Sequence, residues 1–551
     1  MRQKIPSHMS LFCRLSRFLF SISLGIVFTA CAQAAIGTVV QTQQGSVAGV
    51  VRNGALEFRG IPYAEPPVGA GRWASPKPAQ PWQGVLDASH FKPACPQEAR
   101  FNLTQASDSE DCLYLDISLP WPQGGEAPSG LLPVIVWFHG GALVGGSSSL
   151  YRLDQLANST RAVVVGFNYR LGVLGFLAHP GLDSDYNASF GLEDQRLALT
   201  WVKDNIQAFG GDPNNVTVMG ESAGAASICT LLSTPDLSAG LFQKAILLSV
   251  ACVYPWRGLD EGNAIGQTIA AAVGCGDLAS ALSCLRQKDA LTLVKAASDL
   301  QPSDPIPLAP VTGTPRLPAA STRAFQSGQF LPVPIVYGSA RDELRLYIGY
   351  EIQAGRKVTP DNYAQWLRFF YGDQAHAVQK AYRLENFSSA GAALGSIVSA
   401  FKPGFIVSQC LALQTARLAA RRSPVYFLDF ADRTTPKRGV VIAAEPDPGI
   451  ELGAAHSTIL SYLFPGFSST REMSGAPLSP ASSRTAALML DYFAAFIRTG
   501  DPNGASRVHW PLFNDQHTAA LRFDDAGVSL VLPISEYQCE FWRKLYPAYF
   551  N

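Results

Sequence analysis

The chain has 551 residues, 47% of them hydrophobic and 16% charged. That balance excludes a disordered or low-complexity protein and supplies ample material for a core. Lys plus Arg and Asp plus Glu both number 43, so no basic excess is available to hold a nucleic acid or another polyanion.

Residues 1–34 read as a secretory signal peptide. Arg2, Lys4, Arg14 and Arg17 precede the apolar run Phe18 to Phe28, and Ala32-Gln33-Ala34 is a small-x-small cleavage site. The run is short for a membrane span. A lipid anchor at Cys31 is the weaker alternative, because Phe28-Thr29-Ala30-Cys31 is a poor lipidation box. Cleavage removes four basic residues and leaves a net charge of about −4. The expected destination is secreted or periplasmic, where disulfides persist. Of ten cysteines, Cys13 and Cys31 fall in or beside the leader's apolar run, leaving an even set whose pairing spacing alone does not give. No later run is long and apolar enough to span a bilayer, so no membrane span is expected. No linker, repeat or charge block divides residues 35–551, which predicts one domain.

Apolar runs then alternate with helical patterns. Val134-Ile135-Val136-Trp137-Phe138 predicts a buried strand, followed by the turn residues His139-Gly140-Gly141; Ala162-Val163-Val164-Val165 predicts a second. Between Leu192 and Phe209, the residues Leu199, Val202, Ile206 and Phe209 fall on one helical face, and Gly210-Gly211 ends the helix. Further strands are expected at Val216-Thr217-Val218-Met219, Ala245-Ile246-Leu247-Leu248, Pro334-Ile335-Val336-Tyr337 and Val425-Tyr426-Phe427-Leu428. A last apolar-faced helix is expected over Thr485 to Ile497, closed by Gly500-Asp501-Pro502. Continuous apolar strands interleaved with helices predict an α/β fold with a large, mostly parallel central sheet covered on both faces, carrying long loop and helical insertions.

The strand at 216–219 runs into Gly220-Glu221-Ser222-Ala223-Gly224. A serine hydroxyl becomes a useful nucleophile only with an exposed position, a nearby base and a site for the developing anion. Gly-x-Ser-x-Gly between strand and helix supplies the position, and the amide of Ala223 at the helix start supplies one anion donor. Of the eight histidines, His8 lies in the leader, His139 beside the glycine loop, and His90, His179, His376, His509 and His517 in polar or Pro/Trp-flanked surroundings. His456 follows the flexible Leu452-Gly453-Ala454-Ala455, C-terminal to the serine as this fold type requires. The acid should lie between them, just past a strand end. Glu343 meets that condition, with Asp342 as its competitor.

At these residues the chain resembles the type-B carboxylesterases, the cholinesterase-like branch of the α/β-hydrolase fold. The likeness runs from about residue 36 to the end. It is carried by Phe58-Arg59-Gly60-Ile61-Pro62-Tyr63-Ala64-Glu65-Pro66-Pro67-Val68-Gly69, by Glu110-Asp111-Cys112-Leu113-Tyr114-Leu115-Asp116 and by the serine motif. Asn168-Tyr169-Arg170, Asp194-Gln195, Thr499-Gly500-Asp501-Pro502-Asn503 and Trp510-Pro511 add to it. The resemblance implies a serine carboxylic-ester hydrolase with Ser222 as nucleophile, His456 as base and Glu343 as orienting acid. It implies an oxyanion hole from the amides of Gly141, Ala142 and Ala223, supported by Gly140, Glu221 and Ser249. It also implies loop-bracing pairs Arg72–Glu110 and Arg170–Asp194, and disulfides Cys95–Cys112, Cys275–Cys284 and Cys410–Cys539. Cys229 and Cys252 are then read as buried free thiols, with a fourth bridge as the alternative.

Four departures from the family pattern lie near the expected centre: Ala142 for a third glycine, Leu344 for the glycine after the acid, Ile459 for a glutamate, and Val250 for the glycine after Ser249. The alanine keeps its amide but narrows the room for esters of tertiary alcohols. Residues 96–111 contain Phe101 and no tryptophan, so the family's choline-binding aromatic is missing and a cholinesterase is not expected. The substrate is expected to be a small-molecule ester, with specialisation as a lipase or as a polyester or xenobiotic esterase left as the alternatives. No His-Glu-x-x-His or paired Cys-x-x-Cys spacing appears, and neither a metal nor an organic cofactor is expected. A non-catalytic recognition protein of the same family is the competing reading, opposed by the joint presence of serine, glutamate and histidine.

Overall fold

Along the central strands, successive side chains enter two different cores. Val134, Val136 and Phe138 join one apolar cluster, while Ile135 and Trp137 join the other. Ala245 and Leu247 divide from Ile246 and Leu248 in the same way. A strand whose neighbours point to opposite faces must be apolar throughout when both faces are covered. This is why the sequence shows unbroken apolar runs rather than alternation.

The computed structural model describes residues 37–550 except 100–105, 122–129, 184, 255, 301–307, 439 and 468–474. The expected signal peptide, Cys31 and Phe101 lie outside the described residues. The strands are β1 (Val39–Gln41), β2 (Ser46–Ala48), β3 (Val50–Arg52), β4 (Ala55–Pro62), β5 (Val85–Asp87), β6 (Tyr114–Pro120), β7 (Leu132–Phe138), β8 (Val163–Phe167), β9 (Gly211–Glu221), β10 (Lys244–Leu248), β11 (Ile335–Ala340), β12 (Val425–Phe430), β13 (Ala520–Asp524) and β14 (Gly527–Val531). Among the described residues, β1, β2 and β5 form a small sheet, and the other strands form one sheet of 11 in the order β14-β13-β12-β11-β10-β9-β7-β8-β6-β4-β3. From β13 through β8 the pairings are parallel. The edges β14 and β6-β4-β3 are antiparallel. The large, mostly parallel sheet is what the alternating pattern predicts, and the fold is the α/β-hydrolase fold that the resemblance implies.

Helix ends explain where the expected boundaries move. The helix expected over 192–209 is an α-helix at Phe190–Asn205 that tightens into a 3₁₀ turn at Ile206–Phe209. Gly210 closes it at φ +77°, a left-handed conformation that costs glycine little. The late helix runs over Pro480–Thr499, longer at both ends than its apolar stripe. Ser479 caps it by accepting from the Ser482 amide, with Pro480 in the first turn and Gly500 at φ +83°.

Among the described residues, four disulfides join segments distant in the chain. Cys95–Cys112, Cys275–Cys284 and Cys410–Cys539 pair as the resemblance implies. Cys229 and Cys252 are a correction: they are bonded, with Cα atoms 5.2 Å apart, rather than free thiols. Cys229 lies in the helix Ala223–Leu232, and the chain leaving β10 returns beside it. A distance set by helix-on-strand packing is not encoded in a 23-residue separation. The pairs Arg72–Glu110 and Arg170–Asp194 both form; Arg72 also donates to the carbonyls of Leu285 and Lys288, bracing a distant loop.

Candidate active site

The C-terminal ends of the parallel strands gather the expected residues. Ser222 follows β9, the loop at Gly140 follows β7, Ser249 follows β10, and Glu343 follows β11. Loops at strand ends, held by a rigid sheet, are where such folds place ligands.

Ser222 stands between β9 and the helix Ala223–Leu232 at φ 56°, ψ −124°, a conformation a side-chain-bearing residue adopts only under constraint. The flanking glycines are what permit it. A Cβ at Gly220 would lie 2.7 Å from the carbonyl carbon of Gly224, and one at Gly224 would lie 2.0 Å from the carbonyl oxygen of Phe138. The turn therefore closes only with glycine two residues before and after the serine. The Ser222 amide donates to the Leu248 carbonyl at 2.9 Å, pinning the turn to the end of β10.

The side chains named from three distant parts of the chain meet here. His456 Nε2 lies 2.9 Å from Ser222 Oγ, and His456 Nδ1 lies 2.7 Å from Glu343 Oε2. The other Glu343 oxygen accepts from the Ala340 amide at 2.7 Å and the Ser339 hydroxyl at 3.2 Å, so both oxygens are committed. The His456 amide donates to the Glu343 carbonyl at 3.1 Å. His456 and Glu343 are both buried, at 4% and 0% exposure, which strengthens their charge–charge contact.

Glu221, beside the serine, brings a second carboxylate. Its Oε1 lies 3.5 Å from His456 Nε2 and accepts from the Ser457 hydroxyl at 2.8 Å. Burial raises the Glu221 carboxyl above its usual range, against the opposing pull of His456 and the Ser457 hydrogen bond. For His456, burial works to lower the imidazole, but the Glu221 charge, the Glu343 hydrogen bond and the Glu343 charge together raise it above its ordinary value.

The glycine loop lies against the serine. A Cβ at Gly140 would stand 3.3 Å from Ser222 Cβ and 3.0 Å from the Glu221 carbonyl oxygen. Gly141, Ala142 and Leu143 all have positive φ, at 115°, 55° and 60°. The loop is held from outside: Tyr169 Oη donates to the His139 carbonyl at 2.8 Å, Gln97 makes paired hydrogen bonds with Gly146, and the Gly172 amide donates to the Leu143 carbonyl. Among the described residues, the amides of Gly141, Ala142 and Ala223 have no protein acceptor. A helix N-terminus normally leaves such donors open, and here two loop amides are open as well.

Residues 37–542 match the carboxylesterase family. The chain belongs to that family. This carboxylesterase is 34% identical to fumonisin B1 esterase of Sphingopyxis macrogoltabida over 86% of its own length and 84% of the relative's. It is 31% identical to para-nitrobenzyl esterase of Bacillus subtilis (strain 168), over 93% and 99% of the two chains. A solved thermophilic PNB esterase superposes with a TM-score of 0.75 at 30% identity, covering 92% of this chain and 99% of that one. The protein is a carboxylic ester hydrolase, and the family's substrates are small-molecule esters.

Two residues of this carboxylesterase take parts that the sequence did not suggest. Asp342, the rejected competitor for the acid, turns away from His456 and holds its loop. Its carboxylate accepts from the Ala454 amide at 3.0 Å and from Arg433 at 3.1 and 3.2 Å, and pairs with Arg345 at 3.2 Å. Tyr337 clamps the segment after β10, its hydroxyl donating to the Val250 carbonyl at 2.7 Å and accepting from the Cys252 amide at 3.1 Å. Neither role has a linear signal, because each depends on loops meeting across the sheet. Ser249 lies buried after β10 at φ 60°, its amide donating to the Gly338 carbonyl at 2.8 Å. Its hydroxyl makes no hydrogen bond to Ser222, His456 or Glu343. Leu344 and Ile459 are buried apolar residues, and the Leu344 amide donates to Ser399 Oγ at 2.8 Å.

Proposed function

We propose that this ester hydrolase is a secreted or periplasmic serine esterase working through a covalent acyl-enzyme. In this reading His456 accepts the Ser222 proton as the hydroxyl attacks the ester carbonyl, and Glu343 steadies the imidazolium. The amides of Gly141, Ala142 and Ala223 receive the oxyanion; losing one such donor typically lowers turnover about 10²–10³-fold. His456 next gives its proton to the departing alcohol oxygen, and water then attacks the acyl-enzyme by the reverse proton path. Neither covalent step requires a group beyond these residues and water.

One observation carries the reading: a serine oxygen 2.9 Å from an imidazole whose far nitrogen is 2.7 Å from a buried carboxylate. Four disulfides and the leader-like residues 1–34 support export. Among the described residues no helix is long and apolar enough to cross a membrane. The clustering of residues 36–551 into one compact unit supports a single catalytic domain. The likeness to a fumonisin B1 esterase and a para-nitrobenzyl esterase extends the proposal to fumonisin B1 and to para-nitrobenzyl esters as substrates. The test is labelling of the purified protein by an organophosphate. One equivalent bound at Ser222, with p-nitrophenyl acetate hydrolysis lost in parallel, supports the proposal. An unlabelled protein that still hydrolyses the ester contradicts it.

A further inference from the structure

Two of the three proposed oxyanion donors, the amides of Gly141 and Ala142, are aimed from behind. Each N–H shares a rigid peptide plane with the carbonyl of the residue before it, so a bond that fixes the carbonyl fixes the donor. The Gly140 carbonyl, in plane with the Gly141 amide, accepts from His139 Nδ1 at 2.9 Å. The Gly141 carbonyl, in plane with the Ala142 amide, accepts from the amides of Val144 and Gly145, both at 3.0 Å. The direction of both donors therefore depends on where the far end of this turn is held.

That end is Gly146, at φ 117°. A Cβ there would lie 2.5 Å from the Gly140 carbonyl oxygen and 2.4 Å from His139 Nδ1. Gly146 thus presses on the hydrogen bond that aims Gly141, and follows directly on the amide that helps to aim Ala142. Gln97 grips both of its polar groups. Gln97 Oε1 accepts from the Gly146 amide at 2.8 Å, and Gln97 Nε2 donates to the Gly146 carbonyl at 2.9 Å. A carboxamide presents an acceptor and a donor side by side, the pattern a neighbouring strand would offer. The grip is itself anchored. Gln97 is buried, its amide and carbonyl pair with Ser107 at 2.9 and 3.0 Å, and Nε2 also donates to the Cys95 carbonyl at 3.0 Å. All of this stands on the loop closed by Cys95–Cys112.

We infer that Gln97 is a positioning residue for the reaction, whose carboxamide, by holding Gly146, aims the Gly141 and Ala142 amides at the developing oxyanion. The inference rests on the proposed serine mechanism. A misdirected donor weakens binding most where charge develops on the carbonyl oxygen, so the loss falls on the transition state and spares the bound ester.

The test compares wild-type protein with Gln97→Glu, which keeps the shape but turns an acceptor toward the Gly146 carbonyl, and with Gln97→Met, which offers neither bond. The substrate is p-nitrophenyl acetate, and rates are expressed per site labelled by an organophosphate taken to completion, so misfolded protein does not enter. The probe is 2,2,2-trifluoroacetophenone, a ketone that Ser222 would convert to a hemiketal with its oxyanion in the same place. In both variants kcat is expected to fall about 30-fold, short of the 10²–10³-fold typical of losing a donor outright. The inhibition constant of the ketone should rise by the same factor, with KM changed by less than about threefold. A variant that melts earlier but keeps kcat per site, a rise confined to KM, or a fall in kcat without weaker ketone binding overturns the inference and leaves the serine mechanism standing. Wild-type protein that is neither labelled by the organophosphate nor inhibited by the ketone overturns both.

Discussion

Gly453 sits against Asp342 with no room for a side chain: a Cβ there would lie 2.1 Å from the Asp342 carboxylate. The backbone is left-handed at this point, φ +66°, and the next amide but two belongs to His456. The loop that delivers the imidazole is thus folded around a carboxylate that never touches it. Gly453→Ala should displace His456 and lower kcat/KM by about 10²-fold, the usual cost of a misplacement near 1 Å. Steady-state kinetics on p-nitrophenyl acetate check this; a loss under threefold would contradict it.

Glu221 and Glu343 both favour the imidazolium form of His456. Because the base must be neutral to accept the serine proton, the acid limb of the kcat/KM profile should lie above the ordinary histidine value of about 6.5. Glu221→Gln removes one of the two raising charges, so the limb should move to lower pH. A pH–rate profile of both proteins tests the sign; an unmoved or higher limb in Glu221→Gln would contradict it.

The bridge Cys229–Cys252 closes a separation of 23 residues. Loop-closure entropy puts the stabilisation at about 3 kcal/mol. The double variant Cys229→Ala, Cys252→Ala should lose about 3 kcal/mol of unfolding free energy in a urea titration, read as a lower midpoint. An equal midpoint would mean that the two thiols contribute nothing by pairing.

Acetyl, propionyl and butyryl esters of simple alcohols should be cleaved faster than the matching choline esters. No tryptophan stands between residues 96 and 111 to offer a face to a quaternary ammonium. Parallel kcat/KM values for the two series decide it, and a clear choline preference would reverse the reading.

Much of this architecture could be read from the chain because local chemistry determines it. A strand with both faces covered must be apolar throughout, so β7, β9, β10, β11 and β12 announced themselves as runs. The turn at Ser222 tolerates only glycine at 220 and 224, so the pattern survives as letters. Where the outcome depends on two loops meeting, the letters are silent. Cys229 looked like a packed thiol because nothing in its neighbourhood shows the chain returning from β10. Asp342 looked like a failed catalytic acid because its partner, the backbone at Ala454, lies 112 positions away.

The central claim is that Ser222 carries the acyl group during turnover. Rapid quenching of wild-type protein with excess p-nitrophenyl butyrate, followed by peptide mass spectrometry, reads this directly. A butyryl adduct confined to the peptide containing Ser222, and absent from Ser222→Ala together with nearly all activity, is the expected result. Undiminished hydrolysis by Ser222→Ala, or an acyl group found on another residue at the rate of turnover, would contradict the account.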